Sequence, residues 1–244
     1  MIVLDTTGVT DVGLRRSNNE DAFIVIPEQR VAAVADGMGG AAAGEVASGI
    51  FVNAVRECFD AAASVTEETA YQFVQQVFSA ANKRIIEHVA KNPGDAGMGC
   101  TAELLTFVEG RYIIGHVGDS RIYLFRNNGL RQLTKDHSLV QMQLDNGSIS
   151  ADEARVHPNK NIVLKAIGIE HDVSLDILRG NLFSGDLFLL CSDGLTDMLE
   201  DDKLHEILKL SIPLGQKAQQ LVESAKEAGG RDNITVVLCH VNQS

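Results

Sequence analysis

Six carboxylates in this chain stand where an apolar run meets a turn. Glu20 and Asp21 precede AFIVI, Asp36 follows VAAVA and is followed by Gly37, and Asp119 ends YIIGHVG. Asp193 follows LFLLCS and precedes Gly194, and Asp232 shortly precedes ITVVL. Taken singly, each is ordinary turn chemistry, because Asp and Gly suit strand ends. Taken together they predict convergence, since strand ends in one sheet layer can meet at one place. Carboxylates packed within a few ångströms repel one another, so either some stay protonated or a cation neutralises them. Oxygen-only ligands select hard ions, magnesium or manganese, whereas zinc prefers histidine and cysteine. Two such ions can share one bridging aspartate and hold a hydroxide between them as nucleophile, which makes a hydrolytic site. Arg16, five residues before Asp21 in RRSNNED, suggests the substrate. A guanidinium can hold two phosphoryl oxygens and offset the charge that develops as phosphorus is attacked, so phosphate ester hydrolysis is the expected reaction.

The elements that must hold these residues alternate in blocks. Strands are predicted at 8–13, 22–26 and 31–35, then a helix over 41–59. A second helix opens at Ser64-Val65-Thr66-Glu67, which reads as a capping box, and carries Ala70, Phe73, Val74, Val77, Phe78, Ala81, Ile85 and Val89 at helical spacing. Strands return at 101–108, 111–117 and 121–126, with Gly118-Asp119-Ser120 reading as a tight hairpin turn between the last two. Residues 137–161 are polar, without a strong period, and read as a loop-rich excursion suited to substrate contact. Strands at 163–167, 173–178 and 187–191, helices at 201–210 and 214–228, and a last strand at 234–241 complete the chain. Strands, helix pair, strands, helix pair, strand is the order expected of an α+β fold, a four-layer α-β-β-α sandwich of two stacked, mainly antiparallel sheets. A doubly wound parallel sheet would need more crossover helices.

Composition narrows the class. The chain has 244 residues with 21 basic against 33 acidic, a formal charge of −12, which disfavours nucleic acid as a partner. At 45% apolar residues it can bury a sizeable core, and without tryptophan the aliphatic side chains must fill it. Cys58, Cys100, Cys191 and Cys239 lie far apart in apolar stretches and read as reduced core residues. No leader pattern and no apolar run long enough to span a bilayer is present, so a cytoplasmic protein without membrane attachment is expected. Nothing resembles a coiled coil, and a monomer is expected.

RSNNEDAF, VAAVADGMGG, GMGCTAE, GHVGDSRIYL, LFLLCSDGLTD and GGRDNITVV occur in the order and approximate spacing of the metal-dependent protein phosphatases, the type 2C serine/threonine family. The chain resembles the compact bacterial members over nearly its whole length, as a single catalytic domain across 1–244. The resemblance implies phosphoserine and phosphothreonine proteins as substrates, Mn²⁺ or Mg²⁺ as cofactor, and a cognate bacterial serine/threonine kinase whose signal the enzyme reverses. It implies that Asp36 bridges two central metals, that the Gly37 carbonyl binds one of them, and that Asp193 and Asp232 complete the other's shell. Glu20 and Asp21 match residues that hold the metals mainly through waters, Asp119 matches a ligand of a third, weaker metal shared with Asp193, and Arg16 matches the phosphate-binding arginine. The segment at about 138–160 matches the flap beside the site. One departure stands at Met38, where many eukaryotic members carry a histidine proposed to protonate the leaving alkoxide; a metal-bound water near Asp119 is the expected substitute. Of the histidines near the motifs, His116 and His137, one reads as buried and the other as part of the flap base.

Rival readings fare worse. Gly37-Met38-Gly39-Gly40-Ala41-Ala42, with Glu57 further on, fits a dinucleotide fingerprint, but Asp36 would stand beside the pyrophosphate. A cysteine phosphatase needs an arginine six positions after its nucleophile, and from Cys191 that position is Asp197. Ser120 and Ser192 adjoin aspartates but have no histidine base in the pattern. A catalytically silent phosphoprotein-binding module of the same fold is the remaining alternative; the intact acidic set argues against it.

Overall fold

The computed structural model describes residues 2–39, 43–60 and 65–243. In chain order it forms β1 (Ile2–Asp11), β2 (Asp21–Ile26), β3 (Val31–Met38), α1 (Ala43–Asp60), α2 (Glu67–Lys91), β4 (Gly99–Cys100), β5 (Ala102–Val108), β6 (Arg111–Val117), β7 (Arg121–Arg126) and β8 (Gly129–Gln132). It continues through α3 (Leu139–Asp145), α4 (Ala151–Arg155), β9 (Asp176–Asn181), β10 (Leu187–Cys191), α5 (Asp193–Thr196), α6 (Asp201–Lys209), α7 (Leu214–Glu227) and β11 (Ile234–Gln243). One sheet has the order β1-β11-β10-β7-β8 and the other β2-β3-β5-β6-β9, with β4 paired to β3. Every pairing is antiparallel.

The period-2 alternation of the strands sorts side chains into layers. Ala33, Ala35 and Leu104 pack under α1 and α2 with Phe51, Val74 and Phe78. Their sequence neighbours Ala32, Val34 and Leu105 point the other way and meet Phe188, Leu190 and Val237 of the facing sheet. Leu189, Val236 and Leu238 turn outward again to Leu195, Leu204, Leu221 and Val222 of the second helical layer. The expected α-β-β-α sandwich is therefore the observed architecture. Among the described residues no helix is long and apolar enough to cross a membrane.

Several local expectations need correction. Gly118-Asp119-Ser120 is not a hairpin turn: β6 pairs with β5 and β9, whereas β7 pairs with β8 and β10, so these three residues cross from one sheet to the other. The true hairpin is β7–β8, turned by Asn127 and Asn128, both with positive φ (51° and 60°) as a two-residue primed turn requires. The cap of α2 is Thr66, which accepts from the Thr69 amide and whose own amide donates to Thr69 Oγ1; Ser64 lies outside the described residues. The helix expected from residue 41 is described from Ala43, residues 40–42 lying outside the description. Residues 163–167 form only isolated bridges, Ser138 with Val163 and Cys100 with Ile167, and the expected 173–178 strand is shifted to β9. The excursion read as loop contains α3 and α4, each opened by a serine cap, Ser138 and Ser150. Cys100, Cys191 and Cys239 are buried as expected, and Cys58 is half-buried; all four are free thiols.

Candidate active site

Antiparallel pairing brings the predicted carboxylates to one end of the sandwich. β3, β6 and β10 end there, followed by or ending in Asp36, Asp119 and Asp193, while their partners β2 and β11 begin there, with Asp21 opening β2 and Asp232 just ahead of β11. Asp21 and Asp36 are direct register partners across β2 and β3. Two like charges in that position destabilise a sheet unless something neutralises them.

The electrostatics carry the same message. Burial holds the Asp36 carboxyl well above the usual range, reinforced by the charges of Asp21, Asp193, Asp119 and Asp232. Asp193 is raised by burial and then by Asp119, Asp197, Asp232 and Asp21. Burial and the charge of Asp136 push Asp119 up to about 7, and burial lifts Asp21 to about 6 against the hydrogen bonds it accepts. Asp21 Oδ1 and Asp193 Oδ1 are buried without a hydrogen-bond partner. Buried acceptors left unsatisfied among mutually repelling carboxylates suit hard divalent cations, the ligand class that oxygen donors prefer. Among the described residues no three acidic, histidine or cysteine side chains are gathered closely enough to hold a metal ion by themselves.

The backbone at Gly37 is shaped for close approach. A Cβ there would lie 2.1 Å from the Gly44 carbonyl oxygen and 2.6 Å from that of Glu20. The Gly37 amide donates to the Glu20 carbonyl at 3.1 Å, which ties Glu20 to the end of β3. Arg16 lies on the exposed loop between β1 and β2, and its Nη2 donates to Asp232 Oδ2 at 2.7 Å. That hydrogen bond, with the nearby charges of Glu20 and Asp36, raises the guanidinium's pKa despite partial burial. The cation therefore faces the carboxylate group with other N–H donors available to an anion.

The supporting residues were not among those predicted. Asn233 Oδ1 accepts the Glu20 amide at 2.8 Å, and its Nδ2 donates to the carbonyls of Val12 and Asn18, both at 3.0 Å, so it holds the Arg16 loop. Ser192 Oγ donates to Asp21 Oδ2 at 2.7 Å and accepts the Thr235 amide at 3.0 Å. Thr101 Oγ1 accepts the Asp36 amide at 2.9 Å and lies 2.8 Å from Ser120 Oγ, joining the segments of two aspartates. Ser192 and Asn233 adjoin predicted ligands in CSDG and RDN, which is the only signal the sequence offered for them. His116 is buried, as expected of one of the two histidines, and His137 accepts the Gly118 amide just ahead of α3.

Beside Asp119 and Asp193 lies a cleft of about 210 Å³, walled by Asp136, Gln141, Arg155, Lys160 and Asp197. Residues of the 138–160 segment line one side of it, and the segment is tied to the body by Lys160–Asp197 and by Arg155–Glu200 at 3.1 Å. A larger hollow of about 700 Å³ runs along α2 beside residues 171–177, remote from the carboxylates.

Residues 15–235 match the family Protein phosphatase 2C. The chain belongs to that family. It is similar to the serine/threonine phosphatase Stp of Listeria innocua, 40% identical over 237 residues, covering 96% of this chain and 94% of that protein. It is likewise similar to the protein phosphatase PhpP of Streptococcus pneumoniae, 37% identical over 96% of each chain. Among solved structures, the Mycobacterium tuberculosis serine/threonine phosphatase PstP/Ppp superposes with a TM-score of 0.92 at 36% identity, covering 99% of this chain and 100% of that one. The catalytic domain of PstP in complex with two manganese ions superposes with a TM-score of 0.90 at 36% identity over the full length of both chains. This protein phosphatase 2C chain is accordingly a protein phosphatase, and its α+β sandwich is the fold of its relatives.

Proposed function

We propose that this phosphatase hydrolyses phosphoserine and phosphothreonine in proteins by direct displacement at phosphorus, using Mn²⁺ or Mg²⁺, and that it opposes a serine/threonine kinase. The observation that carries the reading is the pairing of Asp21 with Asp36 among further buried carboxylates, with oxygens of Asp21 and Asp193 left unpartnered. The substrate class rests on the serine/threonine phosphatases to which the chain is similar, and the metal on the manganese complex of PstP. Two central ions and a third, weaker one would supply an activated water as nucleophile and neutralise the charge of site and substrate.

The chain's own residues then divide the work. Asp36 and the Gly37 carbonyl would hold the central ions together with Asp193 and Asp232, and Glu20 and Asp21 would act mainly through water. Asp119, with Asp193, would hold the third ion. Arg16, whose Nη2 donates to Asp232, would bind two phosphoryl oxygens of the substrate. Met38, at the end of β3, has no proton to give, so the leaving alkoxide takes its proton from water near Asp119. Residues 1–244 act as one catalytic domain, and 138–160 form its flap. The test is hydrolysis of phosphothreonine, phosphoserine and phosphotyrosine peptides with manganese and then with chelator. Turnover of the first two, abolished by chelator and restored by manganese, is expected; robust turnover in chelator contradicts the reading.

A further inference from the structure

Asp119 sits in the middle of the three-residue crossover between the two sheets, a place with no ladder hydrogen bonds of its own. Its backbone is held instead by the irregular segment after β8 that leads into α3. His137 donates its amide to the Gly118 carbonyl at 2.7 Å, and the Gly118 amide donates to His137 Nδ1 at 3.2 Å. An Nδ1 that accepts must be unprotonated, so the ring's proton lies on Nε2, which faces Asp176 Oδ2 at 3.3 Å. Two residues further on, Arg121 grips Asp136 through Nε and Nη2 at 2.7 to 3.1 Å. Behind His137 its ring stacks on His116, with centroids 4.5 Å apart. His116 is fully buried, meets Glu103 at 2.5 Å and donates from Nε2 to the Lys135 carbonyl at 2.8 Å. The crossover 116–121 and the flap stem 134–138 are thus stitched together from both sides. Gly118 has a φ of +116°, and a Cβ there would lie 2.6 Å from Thr101, so the crossover has little room to relax if a stitch is cut.

We propose that His137 is a positioning residue for the third metal site, holding Asp119 through the Gly118 amide and so linking the flap stem to catalysis, with His116 and Glu103 as its buried support. This rests on the reading of Asp119 as a ligand of the third ion. Outer contacts of this kind are worth roughly 10–100-fold in metal affinity or activity. His137→Ala removes the acceptor, His137→Asn returns an oxygen near the position of Nδ1, and His137→Gln puts one further out.

The experiment measures kcat on a phosphothreonine peptide, the manganese concentration for half-maximal activity and the thermal midpoint. It covers wild type, Asp119→Ala, the three His137 variants and the double variant Asp119→Ala/His137→Ala. The expected results are a loss of about tenfold in kcat and a raised manganese requirement in His137→Ala and His137→Gln, and near-complete recovery in His137→Asn. The second substitution should add no further loss on the Asp119→Ala background, because one residue acts through the other. A full independent loss in the double variant overturns the proposal, as does a manganese requirement that stays fixed while kcat falls. If His137→Ala does not fold, His137→Asn against His137→Gln decides: equal activity overturns the positioning role. Full activity in Asp119→Ala fails the underlying reading of the third site instead.

Discussion

Glu103 and His116 face each other as register partners on β5 and β6, and neither has exposed surface. Burial pushes Glu103 up to about 7, with His116 pulling it back. Burial would lower the His116 imidazole, but the Glu103 charge and hydrogen bond, with the Lys135 carbonyl, outweigh it and raise it to about 9. Both groups therefore hold protons more tightly in the folded chain than at their ordinary values of 4.5 and 6.5. A fold that binds more protons than the unfolded chain loses stability as pH rises. The His116 contribution is full below about 6.5 and gone above about 9. Glu103→Gln removes one partner of a buried pair and should cost about 3–5 kcal/mol at low pH. Urea midpoints taken in chelator at about pH 6 and about pH 9.5 should show that deficit shrinking as pH rises; a constant or growing deficit contradicts the assignment. The same scale separates what could be read from the chain and what could not. The aspartates were legible because each sits at a strand–turn junction, a local pattern. Asn233 was not, since its role depends on an amide 213 positions away.

At the scale of elements, legibility followed the clarity of local boundaries. The expected spans 111–117, 121–126 and 187–191 coincide with β6, β7 and β10, because each is an apolar run closed by polar or glycine residues. β8 was missed because Gly129–Gln132 is short and half polar, although the Asn-Asn turn before it was a hairpin signal. Residues 163–167 have strand composition but find no ladder partner, and isolated bridges are all they form. The crossover at 118–120 was misread for a reason specific to stacked sheets. A glycine-bearing turn between two apolar runs looks the same whether the second run pairs with the first or leaves for the other sheet, and only tertiary packing distinguishes them. The misreading concerned the segment that carries Asp119, whose place between the two sheets the local pattern did not show.

Across the whole molecule, the two sheets must stay in register for strand ends from both to share one site. Phe188 stands at their interface, 5.3 Å from Phe107 and 5.1 Å from Tyr112 by ring centroids, and is fully buried. Phe188→Ala should cost about 3–5 kcal/mol of stability, read by denaturant unfolding. A loss below about 1 kcal/mol would show that the interface does not depend on this packing. The net charge of −12 takes on a local meaning in this frame. Six of the acidic residues belong to the candidate site, and divalent ions there would bring its charge towards neutrality and let an anionic phosphate approach. The central claim is that Asp36 holds two cations for a direct displacement on phosphorus. The measurement that reaches it most directly is kcat/KM of Asp36→Asn on a phosphothreonine peptide across a manganese titration. The predicted result is a loss of more than about a hundredfold that saturating manganese does not restore; an Asp36→Asn enzyme that matches wild type at any manganese concentration contradicts the account.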